Sequence, residues 1–168
     1  METLLIIAGE VDQPRSLTFA DLVAIPAEHQ VADVSRLVAG RQGDAVRLAG
    51  ILALVGPKAA AKYLGLHSST DDFHASIPLD AVAERALVIY RLNGQPLPVT
   101  RGGPVRFFIP DFAACHTDEI DECANVKFVD RIELTATRGF DNRPHDGAEH
   151  EGLHAKAATS GRGSSANS

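Results

Sequence analysis

An α+β domain, largely β and built on mixed or antiparallel sheet with short helices, is predicted by three observations. Short β-rich runs outnumber helical ones, they follow one another without a regular βαβ alternation, and Gly, Pro and Asn-Gly signals separate them. The chain has 168 residues, 45% of them hydrophobic, which suits one domain with a substantial core.

Thr3 to Ile7 reads as the first strand and closes at Gly9, with Val11-Asp12-Gln13-Pro14 as the following turn. Ser16 or Thr18 caps a short helix, TFADLVAIP, which Pro26 ends. HQVADVSRLV is expected as a strand entering the core, and Gly40-Arg41-Gln42-Gly43 as a loop. AVRLAGILALV divides into a strand and a short buried helix stopped by Gly56-Pro57. Tyr63 to His67 is a strand, SSTDDF an exposed turn, and HASIPLDAVAERA a strand running into a helical turn with Asp80 as its N-cap. Leu87 to Leu92 is a strand followed by Asn93-Gly94, the strongest short hairpin signal. Val105 to Ile109 and Val126 to Leu134 supply the last two strands. These elements place the domain at residues 1–137. Beyond it the composition turns to Gly, Ser, Ala, Asn and charge, so residues 138–168 are expected as a disordered tail.

The formal charge of -6 and a pI near 5.6 leave no basic face for nucleic acid or an anionic membrane. With no Trp, two Tyr and seven Phe, stacking platforms for bases are lacking as well. The N-terminal apolar run follows Glu2 rather than a basic residue and lacks a small-residue cleavage pattern. No apolar run approaches the roughly 18 residues that a membrane span needs, so a cytoplasmic protein is expected.

The stretch that carries the chemistry is RGGPVRFFIPDFAACHTDEIDECANVKFVDRIEL, Arg101 to Leu134. It holds a Gly-Gly-Pro turn, a strand containing Arg106, an acidic loop with both cysteines, and a last strand preceded by Lys127. Cys115, His116 and Cys123, with four carboxylates between the thiols, form the densest set of metal-capable side chains in the chain. A divalent metal such as zinc, a disulfide, or two reduced thiols beside a solvated acidic loop all fit this spacing. A cytosolic setting weighs against a permanent disulfide. Arg106 and Lys127, read alone, fit strand-edge salt bridges as well as an anion site.

Four segments in order resemble the molybdopterin-binding domain of the sulfite oxidase family. GEVDQPRSLTFADL is similar to the family's domain opening, and STDDFHASIPL to its Asp-Gly-Tyr-x-x-Ser-(Leu/Ile)-Pro-Leu segment. LNGQPLP with RGGPVRFFIP resembles its Asn-Gly-x-Pro-Leu-Pro hairpin and His-Gly-x-Pro-Val-Arg strand. CANVKFVDRIEL is similar to Trp-Lys-Ser-Val-Lys-Trp-x-x-Arg-Ile-Glu-Leu. The resemblance implies an oxidoreductase domain with a molybdopterin cofactor, whose phosphate favours charge-assisted donors. It places Arg106 and Lys127 at the two pterin-pocket cations and Asn125 at a pocket serine. Arg101 falls where the family has a pocket histidine, and Ala124 where it has a lysine. Ser35 falls nearest the molybdenum-ligand cysteine, with Leu48 in the following Trp position.

A serine hydroxyl is a far poorer soft-metal ligand than thiolate, so sulfite oxidation is not expected of this pocket. The leading expectation is an oxidoreductase-type domain with a divergent cofactor pocket and a small-molecule cofactor or substrate as partner. The two alternatives are a non-catalytic binding module that kept the fold, and a metal-binding domain centred on Cys115, His116 and Cys123.

Overall fold

The structure is a computed structural model that describes residues 2–110 and 124–143. Among the described residues, ten strands form two sheets. The first has the order β2-β1-β10-β5-β6, with β1 at Thr3–Gly9, β2 at Arg15–Thr18, β5 at Tyr63–Ser68, β6 at Phe73–Pro78 and β10 at Arg131–Thr135. The second is β3 (Gln30–Val31), β4 (Asp44–Arg47), β7 (Leu87–Leu92) and β8 (Gln95–Pro96), and β9 (Arg106–Phe108) also pairs with β7. β1 and β10 run parallel, Ile6 opposite Arg131 through Gly9 opposite Leu134, while the other described pairs are antiparallel. The mixed, largely β architecture expected from the sequence is therefore the one observed.

Alternation assigns the two faces of each sheet. In the first, Leu5, Ile7, Leu64, Leu66, Ala75, Ile77, Ile132 and Leu134 are buried and meet Val46, Val88, Tyr90 and Phe107 of the second. The opposite face of the second sheet is buried too, through Ala45, Leu87, Ile89 and Phe108 under Val34 and Leu97. Burial on both faces explains why LVIYRL reads as a continuous apolar run rather than an alternating one.

Three α-helices of the described residues complete the layers. α1 (Phe19–Val23) starts in a capping box in which Asp21 N–H donates to Thr18 Oγ1 at 3.1 Å and Thr18 N–H donates to the Asp21 carboxylate at 2.9 Å. α2 (Leu48–Val55) ends at Gly56 in the left-handed region, and α3 (Leu79–Val82) follows β6 directly. Asn93 and Gly94, at φ 55° and 79°, make the expected hairpin turn.

Several local expectations are corrected. HQVADVSRLV supplies only the two-residue β3, because Pro26 and Asp33, the latter at φ 56°, start 3₁₀ turns at Ala27–His29 and Val34–Arg36. RSLT is a strand, β2, that the sequence reading did not include, and its last residue, Thr18 rather than Ser16, caps α1. Asp80 does not cap α3, since Pro78 occupies that position without a side-chain cap bond. The last strand begins at Arg131 rather than Val126, because Phe128 takes a positive φ of 54° that breaks the ladder.

Residues 139–143, expected as the start of the tail, lie along the edge strand β6. Asn142 N–H donates to His74 O at 3.0 Å, while His74 N–H donates to Asn142 Oδ1 at 2.8 Å. Ser76 N–H donates to the Asp141 carboxylate at 2.9 Å, and Gly139 N–H to Ser76 Oγ at 2.9 Å. The next residue in that row, Pro78, has no N–H to satisfy. The sequence hides this docking because polar side chains, not apolar ones, make it. Residues 144–168 lie outside the described part of the chain.

Two tests follow from these contacts. Gln30 joins the layers: its Nε2 donates to the carbonyls of Leu22 and Ile25 at 2.9 and 3.0 Å, and its Oε1 accepts from Tyr90 Oη at 2.9 Å. Gln30→Ala should lower the unfolding free energy by about 1–3 kcal/mol in urea titration. Asp141 and Arg143 form a buried bidentate pair, with Arg143 Nη2 2.6 Å from the carboxylate. Burial pushes the Asp141 carboxyl up, but the bonds from Arg143 and Ser76 outweigh it and hold the carboxyl below its ordinary value. A depressed folded value means that its contribution is full above the unfolded value near 3.8 and is lost as pH falls through the folded one. Asp141→Asn should reproduce that loss at neutral pH, destabilising by about 1.5–3 kcal/mol because the neutral amide gives up its charge-assisted bonds with Arg143.

Candidate functional site

The site is built where the start of β9 meets the segment before β10. A 3₁₀ turn at Val99–Arg101 ends on Gly102 at φ +92°, a conformation that suits glycine. A Cβ on the next residue, Gly103, would lie 1.8 Å from Leu97 O, so only glycine lets the chain fold back this closely. Residues 126–129 are stapled alongside by three backbone bonds. Phe107 N–H donates to Val126 O at 2.9 Å, Phe128 N–H to Gly102 O at 2.8 Å, and Val129 N–H to Val105 O at 2.9 Å.

The staples bring two predicted cations together. A Cβ at Gly102 would sit 3.1 Å from Arg106 Cδ and 3.2 Å from Lys127 Cγ, so the missing side chain leaves room for both. Phe128, beside Lys127, holds its positive φ at a cost of about 1–3 kcal/mol. The same residue donates the bond to Gly102, which places Lys127 on this side of β9.

Arg106 and Arg41 share the next layer. A small open cavity of about 150 Å³ is lined by Gly40, Arg41, Gln42, Thr100, Arg101 and Arg106, none of them acidic. The loop bearing Arg41 is pinned by the bond from Val34 N–H to Gly43 O, 2.8 Å, and the Arg41 guanidinium lies 4.7 Å from the centre of the Phe108 ring. Arg106 Nη1 donates to Arg101 O at 3.3 Å. The Nε atoms of both Arg41 and Arg106 are buried without a hydrogen-bond partner among the described residues. Burial, and then the neighbouring Arg41 charge, bring the Arg106 guanidinium down to about 10. It stays charged at neutral pH, and among the described residues no carboxylate lines the cavity beside it. A multivalent oxyanion would supply what both arginines lack: acceptors for their donors and neutralisation of their repulsion.

The other candidate residues are placed differently. Asn125 accepts a bond from Ile109 N–H at 2.8 Å, so its side-chain oxygen secures the end of β9. Ser35 sits in the second 3₁₀ turn, where its hydroxyl donates to the Asp33 carboxylate and its N–H donates to the same group at 3.2 Å. Arg101 lines the cavity beside Arg106. Cys115, His116 and Cys123 lie outside the described residues. Among the described residues, no three His, Cys, Asp or Glu side chains are grouped to hold a metal ion. Arg41 was missed by sequence reasoning, which read GRQG as a plain loop. A lone charge between two glycines carries no signal until Phe108 and Arg106 are folded against it.

The family model described as the oxidoreductase molybdopterin binding domain matches residues 3–142. An uncharacterized oxidoreductase of Bacillus subtilis (strain 168), YuiH, is 36% identical over 109 residues, spanning 61% of this chain and 54% of that protein. The crystal structure of the sulfane dehydrogenase SoxCD from Paracoccus pantotrophus superposes with a TM-score of 0.57 at 22% identity, covering 80% of this chain and 38% of that one. At that identity the likeness is one of fold. The chain thus spans about half the length of its curated relative.

The cation cluster predicts an anion-dependent stability. Inorganic phosphate should raise the melting temperature by mass action on the folded state, and Arg41→Met and Arg106→Met should each reduce that increment. Gly102→Ala should destabilise by about 1–3 kcal/mol in urea titration and weaken the phosphate effect, because its Cβ forces Arg106 and Lys127 apart at a strained φ.

Proposed function

Because the chain belongs to the oxidoreductase molybdopterin-binding domain family, we propose that its arginine-lined cavity receives the phosphate end of a molybdopterin cofactor. The observation that carries this reading is the pair of buried Nε–H donors on Arg41 and Arg106, which have no partner among the described residues, in a cavity whose described lining holds no acidic residue. An anionic group fits that donor set, and a cavity of about 150 Å³ accommodates a phosphate rather than a fused pterin ring system. Arg106 and Arg41 would hold the oxyanion, Lys127 would add charge from the far side of Gly102, and Arg101 would close the solvent side. Asn125 would act through the backbone of β9, keeping Arg106 in register. Such a cofactor supplies metal-centred redox chemistry when bound. The protein's share is to bind, orient and electrostatically tune it.

At the metal end the reading departs from sulfite oxidation. The chain's two cysteines stand at 115 and 123, and the region resembling the ligand segment offers Ser35. The Ser35 hydroxyl is committed to Asp33, which supports a turn-forming role over metal ligation. The domain would then hold the cofactor without the usual thiolate, or serve as a binding module that kept the anion site alone.

Elemental analysis and visible absorbance of the full chain, produced in a host that synthesises the pterin cofactor, distinguish these outcomes. Molybdenum near one equivalent per chain is the expected result, and protein lacking both molybdenum and pterin would leave the binding module. Arg106→Ala should lower cofactor occupancy roughly tenfold to a hundredfold, the loss expected when one charge-assisted donor of about 1.5–3 kcal/mol is removed.

A further inference from the structure

A second cluster lies on the outer face of the first sheet, assembled from three strands and the β5–β6 turn. His67 and His74 are cross-strand partners on β5 and β6, and their Nδ1 atoms are 2.8 Å apart. Each ring turns its other nitrogen to a carboxylate: His67 Nε2 lies 3.5 Å from Glu133 on β10, and His74 Nε2 lies 3.1 Å from Asp72 in the turn. Gly65 makes the arrangement possible, since a Cβ there would come within 3.0 Å of His67 Nε2. The His74 ring also packs at a tilt against Phe140, centroids 4.8 Å apart, within the segment that lies along β6.

The four nitrogens constrain their own protons. A carboxylate at each end favours Nε2–H on both rings, which leaves two Nδ1 lone pairs facing each other at 2.8 Å. Lone pairs that close repel unless a cation stands between them. Moving one proton inward as a neutral tautomer relieves the repulsion but turns a bare Nε2 towards a carboxylate. Three protons on four nitrogens satisfy every contact at once, giving a singly charged pair. A separation of 2.8 Å is that of a hydrogen bond; two nitrogens on one metal ion at about 2.0–2.1 Å each stand further apart in tetrahedral geometry.

We propose that His67 and His74 bind one extra proton in common, and that this shared proton latches residues 138–143 onto the edge of β6. The charged groups around the pair fit a single positive charge. Glu133 and Arg131 face it from β10, with Asp72 in the turn and Asp130, whose N–H bonds His67 O, just before β10. From the docked segment, Asp141 and Arg143 are paired with each other, and Arg138 Nη2 is 3.4 Å from the Asp141 carboxylate. Burial, and then the His74 charge, lower the affinity of His67 for a proton of its own. A depressed folded value for a base means that acid below its ordinary 6.5 works against the folded pair, by setting two N–H groups face to face. Alkali works against it from the other side, by removing the shared proton. The latch is therefore tightest in an intermediate window and loosens in both directions.

Nitrogen-15 spectra of the histidine rings in the full-length protein test this from about pH 4 to pH 9. The expected result is two steps separated by at least about one pH unit, with a plateau on which three of the four ring nitrogens carry protons. The His74 and Ser76 amides, which bond Asn142 and Asp141, should show their highest exchange protection on that plateau. In His74→Gln the His67 ring should titrate in one step, and the protection maximum should vanish. Independent titration of the two rings, with midpoints unmoved by removal of the other, would overturn the proposal. So would stoichiometric Zn²⁺ uptake by chelator-treated protein that replaces the paired titration, since the gap between the rings would then be a metal site. The ring spectra of the unmodified protein decide the matter even if His74→Gln does not fold.

Discussion

The structure depends on the parallel pairing of β1 with β10. These strands come from opposite ends of the described chain, and β10 fills the middle of the first sheet, between β1 and β5. Every apolar residue that β1 directs inward is only half enclosed until Ile132 and Leu134 arrive beside it. A central strand supplied last makes the sheet a non-local object, whose loop-closure entropy must be met before its contacts repay it. The same pairing fixes the functional face. Residues 126–129 lead straight into β10, so seating that strand also sets Lys127 beside Gly102 and Arg106.

The cation site is a case in which local frustration points to chemistry. Arg106 is packed so that burial and the neighbouring Arg41 both work against its charge, while Phe128 beside Lys127 keeps a left-handed backbone. Each of these features costs stability, and among the described residues none is offset by an acidic neighbour within the cavity lining. Strain that persists in a well-packed β scaffold is held in place by the surrounding bonds, here the three staples between residues 102–107 and 126–129. An anion converts the same geometry from a liability into a set of donors already aimed.

Much of the framework was legible in the sequence, because its strands carry local signals. LVIYRL followed by Asn-Gly, the LAGILALVG helix with its glycine stop, and the YLGLH strand all follow from residue type and periodicity. What escaped has a common cause. β2 and the short β3 are defined by their partners rather than by their own composition, and the docked residues 139–143 bond through Asp, Asn and Arg side chains that look like solvent-facing polarity. At the site, Arg106 and Lys127 were reachable through resemblance to a known strand and its neighbour. Arg41 was not, since its role exists only once a loop distant in sequence lies over Phe108. The proton-sharing arrangement of His67 and His74 likewise needs the register of two strands before its meaning appears.

The docked segment along β6 has a consequence for how the molecule keeps to itself. An open edge strand is a template for another chain, and β6 is one edge of a sheet whose inner face is largely apolar. Asp141 and Asn142 occupy its outward N–H groups with side chains instead of a further strand, so the ladder terminates and offers no new row of backbone donors to extend it. A boundary drawn at the last strand, as hydrophobic pattern alone would draw it, removes that terminator. Polymerisation through β6, rather than unfolding, is then the hazard of shortening this protein by a few polar residues.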